Sequence, residues 1–325
     1  MNIHPQLRAL RSDDAPQRQA QAALYRAMDL WRSRPDFRAV QASLQRYAEG
    51  AALADCAALA ALFDGERPDA RDFVSGFNAA VARALADAPL GHLPFRHFTD
   101  GIVSTLLLCG ARDVSLMLVA VDGTALAAAP VPVSVSLSPA QCHDHVLAGA
   151  AEAELVEARA SSSTTASLTR RAAPLAPGCV VTRDGAHEAL LYRHVTGNLV
   201  SLRLVRRMAA AGPGREYRLA DGVLVHQSAG HVRDSRRELM ATLLGRMQRK
   251  DAAPILAELA QERGPEGLRW QALRECLGLD TATGFAALCA IADAPADPLG
   301  PAAKALRARL VAAHPELERV LSCPA

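Results

Sequence analysis

The sequence has no C-x-x-C pair, few aromatic residues and almost no net charge. Its seven cysteines are scattered along the chain and odd in number, which excludes a zinc ribbon or a disulfide framework. Thirty-six basic residues against thirty-four acidic residues leave a formal charge of +2. That charge is too small for a strongly cationic nucleic-acid binder or a polybasic membrane anchor, so we expect no nucleic-acid partner.

Long apolar runs are also missing. No window approaches about eighteen uninterrupted apolar residues, and residues 1–14 are polar and charged, unlike a signal peptide. We therefore expect a cytoplasmic protein that does not associate with membranes. The sequence also lacks the G-x-S-x-G, Walker, G-x-G-x-x-G and H-E-x-x-H signatures, so it points to no common catalytic class.

What the 325 residues do contain is a change of periodicity. Residues 16–90 carry apolar side chains at helical spacing, and this spacing returns after residue 234. Between about 95 and 227 the chain shows short alternating runs separated by Pro or Gly turns. The pattern predicts an α+β fold, with a central antiparallel β-sandwich or barrel flanked by N-terminal and C-terminal helical regions.

The same changes predict three domains: an N-terminal helical region over 1–93, a β-domain over 94–232 and a C-terminal helical domain over 233–325. Residues 158–171 are poor in apolar side chains, so we expect an exposed, mobile loop there. The apolar stripes over roughly 253–317 resemble the helical hairpins of HEAT-type solenoids, and a plain helical bundle explains them equally well.

Histidines recur on the predicted strands. His143 and His145 are two residues apart, so on a strand both imidazoles project from one face and can reach one ion. His187 or His194, from a neighbouring strand, supplies a third ligand in this hypothesis. The set predicts one divalent transition metal, whose identity among iron, manganese, nickel, copper and zinc stays open. The alternative is that the His-Asp-His segment is an exposed turn.

The segment His143-Asp144-His145 matches the H-x-H element of the first cupin motif, and the run from His194 to Asn198 matches the end of the second. The next carboxylate, Glu152, comes later than in that motif. Over about residues 95–227 the chain thus resembles the cupin superfamily in strand rhythm and partly in its metal motif. The resemblance implies a β-barrel that binds a small molecule or peptide, or a metal-dependent oxygenase or isomerase.

Four further residues are candidates for ligand binding: His97, Tyr192, Arg203 and Arg218. Arginine binds carboxylates and phosphates through two parallel hydrogen bonds, so arginines at a barrel rim could receive an anionic ligand or an acidic peptide. Neighbouring acidic residues favour the alternative of a salt-bridged surface. His97 faces the barrel mouth in the first interpretation and makes a structural hydrogen bond in the other.

A second function of a different class remains open from the sequence. The protein is then a non-catalytic adaptor or regulator whose C-terminal helices bind a partner protein, while the β-domain senses a ligand or supports the fold. The sequence is compatible with an enzyme and with a binding protein.

Overall fold

A computed structural model describes residues 13–208 and 212–317. The described chain forms two compact units. The first consists of residues 13–208 with 217–223, and the second of residues 212–216 with 224–317.

The first unit begins with four helices: α1 (Ala15–Arg32), α2 (Pro35–Ala48), α3 (Ala57–Ala61) and α4 (Asp69–Asp87). Pro16 and Pro35 lie in the first turns of α1 and α2, where a missing N–H leaves no hydrogen bond unmade. Leu24, Met28 and Trp31 recur at helical spacing on α1 and are buried. The helical character predicted from the spacing of apolar residues over 16–90 is therefore confirmed.

The strands are β1 (His97–Thr99), β2 (Val103–Ala111), β3 (Val114–Asp122), β4 (Ser134–Leu137), β5 (Ala140–Ala160), β6 (Ala166–Ala172), β7 (Val180–Asp184), β8 (Glu188–Arg207), β9 (Gly214–Arg218) and β10 (Leu224–Ser228). A short helix, α5 (Gly123–Ala128), follows β3 and is capped by the Asp122 carboxylate. Among the described residues, seven strands form one antiparallel sheet in the order β1-β2-β3-β8-β5-β6, with β7 also paired to β5.

The two longest strands, β5 and β8, double back on themselves. Gln141 of β5 pairs with Asp184 of β7, while Glu157 of β5 pairs with Glu188 of β8. A straight strand would separate Gln141 from Glu157 by about 50 Å, but four residues of chain can bridge only about 14 Å. The register of the β5–β8 ladder shifts on both sides of residue 148, so the bend lies there.

Gly149 is required at this bend. Its φ is +81°, a value that favours glycine, and a Cβ at this position would lie 2.1 Å from the Asn198 carbonyl oxygen. The bend divides the sheet into two layers. The first half of β5 pairs with β7 and the second half pairs with β6.

The two faces of the sheet carry different cores. Helices α1 to α4 pack against one face, where Leu116, Leu202 and Leu204 join the helical residues in one buried cluster. On the opposite face, between the two layers, a second cluster contains Val121, Val146, Ala151, Ala153, Leu175, Val195 and Leu199. Because side chains alternate along a strand, successive residues in the first half of β5 face these two environments in turn.

The second unit contains five helices of the described chain: α6 (Val232–Arg246), α7 (Ala253–Gln261), α8 (Glu266–Leu279), α9 (Thr281–Asp293) and α10 (Gly300–Ala313). Leu256, Leu273, Phe285 and Leu288 lie in their shared buried core. Within residues 13–208 and 212–317, no helix has both the length and the apolar character needed to cross a bilayer.

The predicted α+β class and the central antiparallel sheet are confirmed. The sheet is not closed into a barrel, because its order ends at β1 and β6 without joining them. The predicted loop over 158–171 is wrong: β5 continues to Ala160, β6 starts at Ala166, and Ser161 and Thr165 close a hydrogen-bonded turn between them. The HEAT-type resemblance is not confirmed, and the boundaries of the three domains stay a proposal.

Candidate functional site

Side chains alternate along β5, so the two histidines project from one face of the strand and the aspartate between them projects from the other. His143 and His145 point towards the helices, and both are buried. His143 Nδ1 lies 2.9 Å from Thr182 Oγ1, and the His143 ring lies 5.9 Å from the Phe63 ring. His145 Nδ1 donates a hydrogen bond of 2.7 Å to the Leu62 carbonyl oxygen. The two imidazoles therefore connect the sheet to the end of α3.

The environment of His143 favours its neutral form. Burial lowers the pKa of His143, the positive charge of Arg206 lowers it further, and Asp144 opposes the shift without reversing it. Its Nε2 is buried without a hydrogen-bond partner among the described residues. Protonating this ring would leave a buried cation, so the pair with Thr182 is a structural contact at neutral pH.

The other two candidate metal ligands lie elsewhere. His187 is exposed in the turn between β7 and β8, where its Nδ1 lies 2.9 Å from Asp184 Oδ2. His194 is exposed on β8, opposite Glu152 and not opposite His143 or His145. Across residues 13–208 and 212–317, no three or more His, Cys, Asp or Glu side chains are grouped so that they could hold a metal ion. The four histidines therefore do not fit the predicted three-ligand site.

The opposite face of β5 carries a buried ionic cluster. Asp144 pairs in register with Arg203 of β8, and Arg203 Nε donates to Asp144 Oδ1 at 2.5 Å. Arg183 of β7 donates through Nη2 to Asp144 Oδ2 at 2.8 Å. The side chains of Asp144, Arg183 and Arg203 are only 4%, 11% and 19% exposed. Each carboxylate oxygen thus holds one guanidinium group between the layers of the sheet.

Tyr192 completes the cluster through the bend in β8. Arg203 Nη2 lies 3.4 Å from Tyr192 Oη, although the two residues are eleven apart on the same strand. A straight strand would separate them by about 36 Å. Burial raises the pKa of Tyr192, with Arg203 opposing the shift, so the phenol is protonated at neutral pH. We name Asp144, Arg183, Tyr192 and Arg203 the arginine cluster.

The charges of the arginine cluster do not cancel. Burial alone would raise the pKa of Asp144, but Arg203 and Arg183 outweigh it and hold that pKa below its ordinary value. One carboxylate therefore faces two guanidinium groups. Arg183 Nε is buried and has no hydrogen-bond partner within the described chain. The cluster has one positive charge and one buried donor in excess, which is an environment that favours an anion.

The remaining two predicted ligand residues are not part of this cluster. His97 lies on the edge strand β1 and lines a cavity of about 340 Å³, together with Val74 and Asn78 of α4 and residues of β2 and β3. None of the arginine cluster lines that cavity. Arg218 is exposed and pairs with Asp221 at 2.9 Å. Arg218 thus has the salt-bridged surface arrangement that was the alternative to ligand binding.

Two members of the arginine cluster, Asp144 and Arg183, are not among the residues that the sequence predicts. Asp144 lies between two predicted metal ligands, and alternation places it on the face opposite to theirs. Arg183 lies on β7 and pairs with Cys142, which is two residues from Asp144 and so projects from the same face of β5. Strand alternation was the signal that could have found both.

No protein-family model matches the sequence, and no curated protein matches it. Solved structures similar to parts of the chain include the 7S globulin of Momordica charantia, at 12% identity over 39% of this chain and 36% of that one, with a TM-score of 0.26. A Streptomyces PAC13 variant with uridine matches at 10% identity over 38% of this chain and 84% of that one, with a TM-score of 0.26.

The vicilin of Solanum melongena, whose structure revealed different anionic ligands in structurally similar pockets, matches at 12% identity over 43% of this chain and 41% of that one, with a TM-score of 0.25. The chain thus spans well under half the length of the globulin and of the vicilin. TM-scores this low do not establish a common fold.

Proposed function

We propose that the first unit binds a small anionic molecule, such as a carboxylate or phosphate compound, at the arginine cluster. The observation that carries the proposal is the ratio of two buried guanidinium groups to one buried carboxylate. Binding of a small molecule is one of the functions that the sequence suggests. Binding at the arginine cluster needs no metal, and it does not require the predicted oxygenase or isomerase chemistry.

The roles of the four residues follow from their contacts. Asp144 orients both guanidinium groups and offsets one of their charges. Arg203 is the most exposed of the three charged side chains, so its outer edge is the part best placed to receive an anion. Tyr192 Oη, next to Arg203 Nη2, adds a neutral donor. An anion bonded to these groups in a desolvated site gains more than it would at the surface, because the effective dielectric is lower.

The test is isothermal titration calorimetry of the full chain with phosphate, succinate and citrate. Arg203→Met removes the guanidinium group and leaves Asp144 paired with Arg183. We expect it to weaken binding at least about tenfold, because a charge-assisted hydrogen bond contributes roughly 1.5–3 kcal/mol. Arg203→Lys keeps the charge and covers the case in which the methionine variant fails to fold.

The chain offers a matched control for this experiment. Arg193 lies on the same strand as Arg203 and also pairs with a carboxylate of β5, Glu154, at 2.7 Å. That pair has one cation for one anion and is more exposed than the arginine cluster. Arg193→Met should leave anion affinity unchanged. Equal losses in Arg193→Met and Arg203→Met, or no binding of any of the three anions by the unaltered protein, would overturn the proposal.

A further inference from the structure

Helix α6 exposes an unusual number of large apolar side chains. Val232, Leu239, Met240, Leu243 and the adjoining Met247 are between 48% and 68% exposed. At 3.6 residues per turn these positions fall within an arc of about 100°, so they lie along one side of the helix. We name these five residues the α6 stripe. Contiguous apolar surface of this kind marks an interaction site more often than a solvated face.

The other side of α6 is already packed within the second unit. Ala241 and Gly245 are buried there. A Cβ at Gly245 would lie 1.8 Å from Glu275 Oε2 of α8, so the Glu275 side chain lies directly against the backbone of α6. Gln271 of α8 also donates a hydrogen bond to Thr242 Oγ1 at 3.1 Å. The α6 stripe is therefore the outward side of a helix held in place from behind.

The charges beside the α6 stripe are all of one sign. Arg233, Arg236 and Arg246 are exposed, and none has an ion pair with another described residue. The acidic residues of the helix, Asp234 and Glu238, are half-buried and project from the other side. Arg236 lies within the arc of the stripe itself. The exposed surface thus combines apolar groups with three cations and has no carboxylate of its own.

We propose that the α6 stripe binds an acidic amphipathic helix of a partner protein. Leucine and methionine side chains suit the apolar face of such a helix, and glutamates on its flanks would pair with the three arginines. A second copy of this chain is a poorer occupant, because its arginines would face these. An anionic bilayer is also poorer, since insertion of the stripe would bring Arg236 into the acyl layer, whereas a glutamate can pair with it.

The probe is a fluorescein-labelled peptide of about 18 residues, long enough to be helical, with a leucine stripe flanked by glutamates. Its anisotropy is measured with the full chain. Leu239→Asp should weaken binding at least about tenfold, because it places a charge where the most exposed apolar side chain of the stripe stands. Ile255→Asp is the matched control, because Ile255 is 66% exposed but lies on α7, outside the stripe. It should leave the affinity unchanged.

A charge exchange gives the decisive measurement. Arg236→Glu should weaken binding of the glutamate peptide and restore binding when the peptide carries lysines in place of glutamates. Failure of that rescue, or equal affinity of the unaltered chain for both peptides, would overturn the proposal. Two other results would also overturn it: Leu239-dependent binding to phosphatidylserine vesicles in place of the peptide, or a Leu239-dependent dimer by light scattering.

Discussion

Each unit of the protein buries an arginine–carboxylate cluster, and the two clusters differ in stoichiometry. In the second unit, Arg269 donates through Nη1 and Nη2 to the two oxygens of Asp297 and through Nε to the Ala260 carbonyl oxygen. Its charge is matched one to one, and all three guanidinium nitrogens donate a hydrogen bond. In the first unit two arginines share Asp144, and Arg183 Nε has no partner among the described residues.

The comparison separates structural ion pairs from candidate binding sites. A closed pair such as Arg269–Asp297 only holds α8 to the segment before α10, because its charge is matched and each guanidinium nitrogen already donates a hydrogen bond. An open cluster such as that around Asp144 has one unmatched positive charge and, within the described chain, one donor nitrogen without a partner. Burial is similar in the two cases, so burial alone would not have distinguished them.

The largest expected effect is that of Asp144→Asn. The substitution leaves two buried guanidinium groups without a carboxylate, and breaking a buried pair in this way costs about 3–5 kcal/mol. Urea unfolding followed by Trp31 fluorescence in a Trp270→Phe background reports the first unit. The control is Glu154→Gln, which should cost less than about 1 kcal/mol because its pair is partly exposed. Equal costs would remove the distinction between the two pairs on β5.

Asp297→Asn should destabilise the second unit by about 3 kcal/mol, somewhat less than Asp144→Asn, because only one arginine loses its partner. The closed pair has a further property: the double replacement Arg269→Met with Asp297→Leu should recover most of that loss, since no uncompensated charge remains. Trp270 fluorescence in a Trp31→Phe background measures both. A double variant as unstable as the single one would show that the pair is not isolated.

A smaller effect is expected on acidification. The pKa of His143 is lowered in the folded protein, first by burial and then by Arg206. The pKa of this histidine in the unfolded chain is about 6.5, so below that pH the unfolded chain binds a proton before the folded one does. The free energy of unfolding therefore decreases as the pH is lowered. His143→Gln should flatten the dependence of unfolding free energy on pH just below 6.5. A variant with the slope of the unaltered protein would assign the acid sensitivity to other groups.

The smallest effect concerns Arg218, which is paired with Asp221 on the surface. Arg218→Ala should change the unfolding free energy by no more than about 0.5 kcal/mol, because exposed pairs are screened and contribute little. It should also leave succinate and citrate affinity unaltered. A clear loss of affinity would show that this arginine belongs to the binding site. It would contradict the claim that a one-to-one ion pair does not bind the ligand.

Strand and helix placement followed from local pattern, and the site did not. The sequence correctly predicts that His143 and His145 share a face, because alternation is a property of the strand alone. Which face they share depends on the packing of α1 to α4 against the sheet, and no feature of residues 140–146 encodes it. The contact between Arg203 and Tyr192 depends on the bend near Gly149, which periodicity does not reveal.

The bend has a consequence for how a bound ligand would act on the fold. Arg203 and Tyr192 belong to one strand but stand on opposite limbs of its bend. An anion held by both would act as a clamp on the angle between the limbs, and so on the separation of the two layers. Ligand binding then adds directly to the free energy of opening the sheet, which makes the midpoint of thermal unfolding a readout of occupancy.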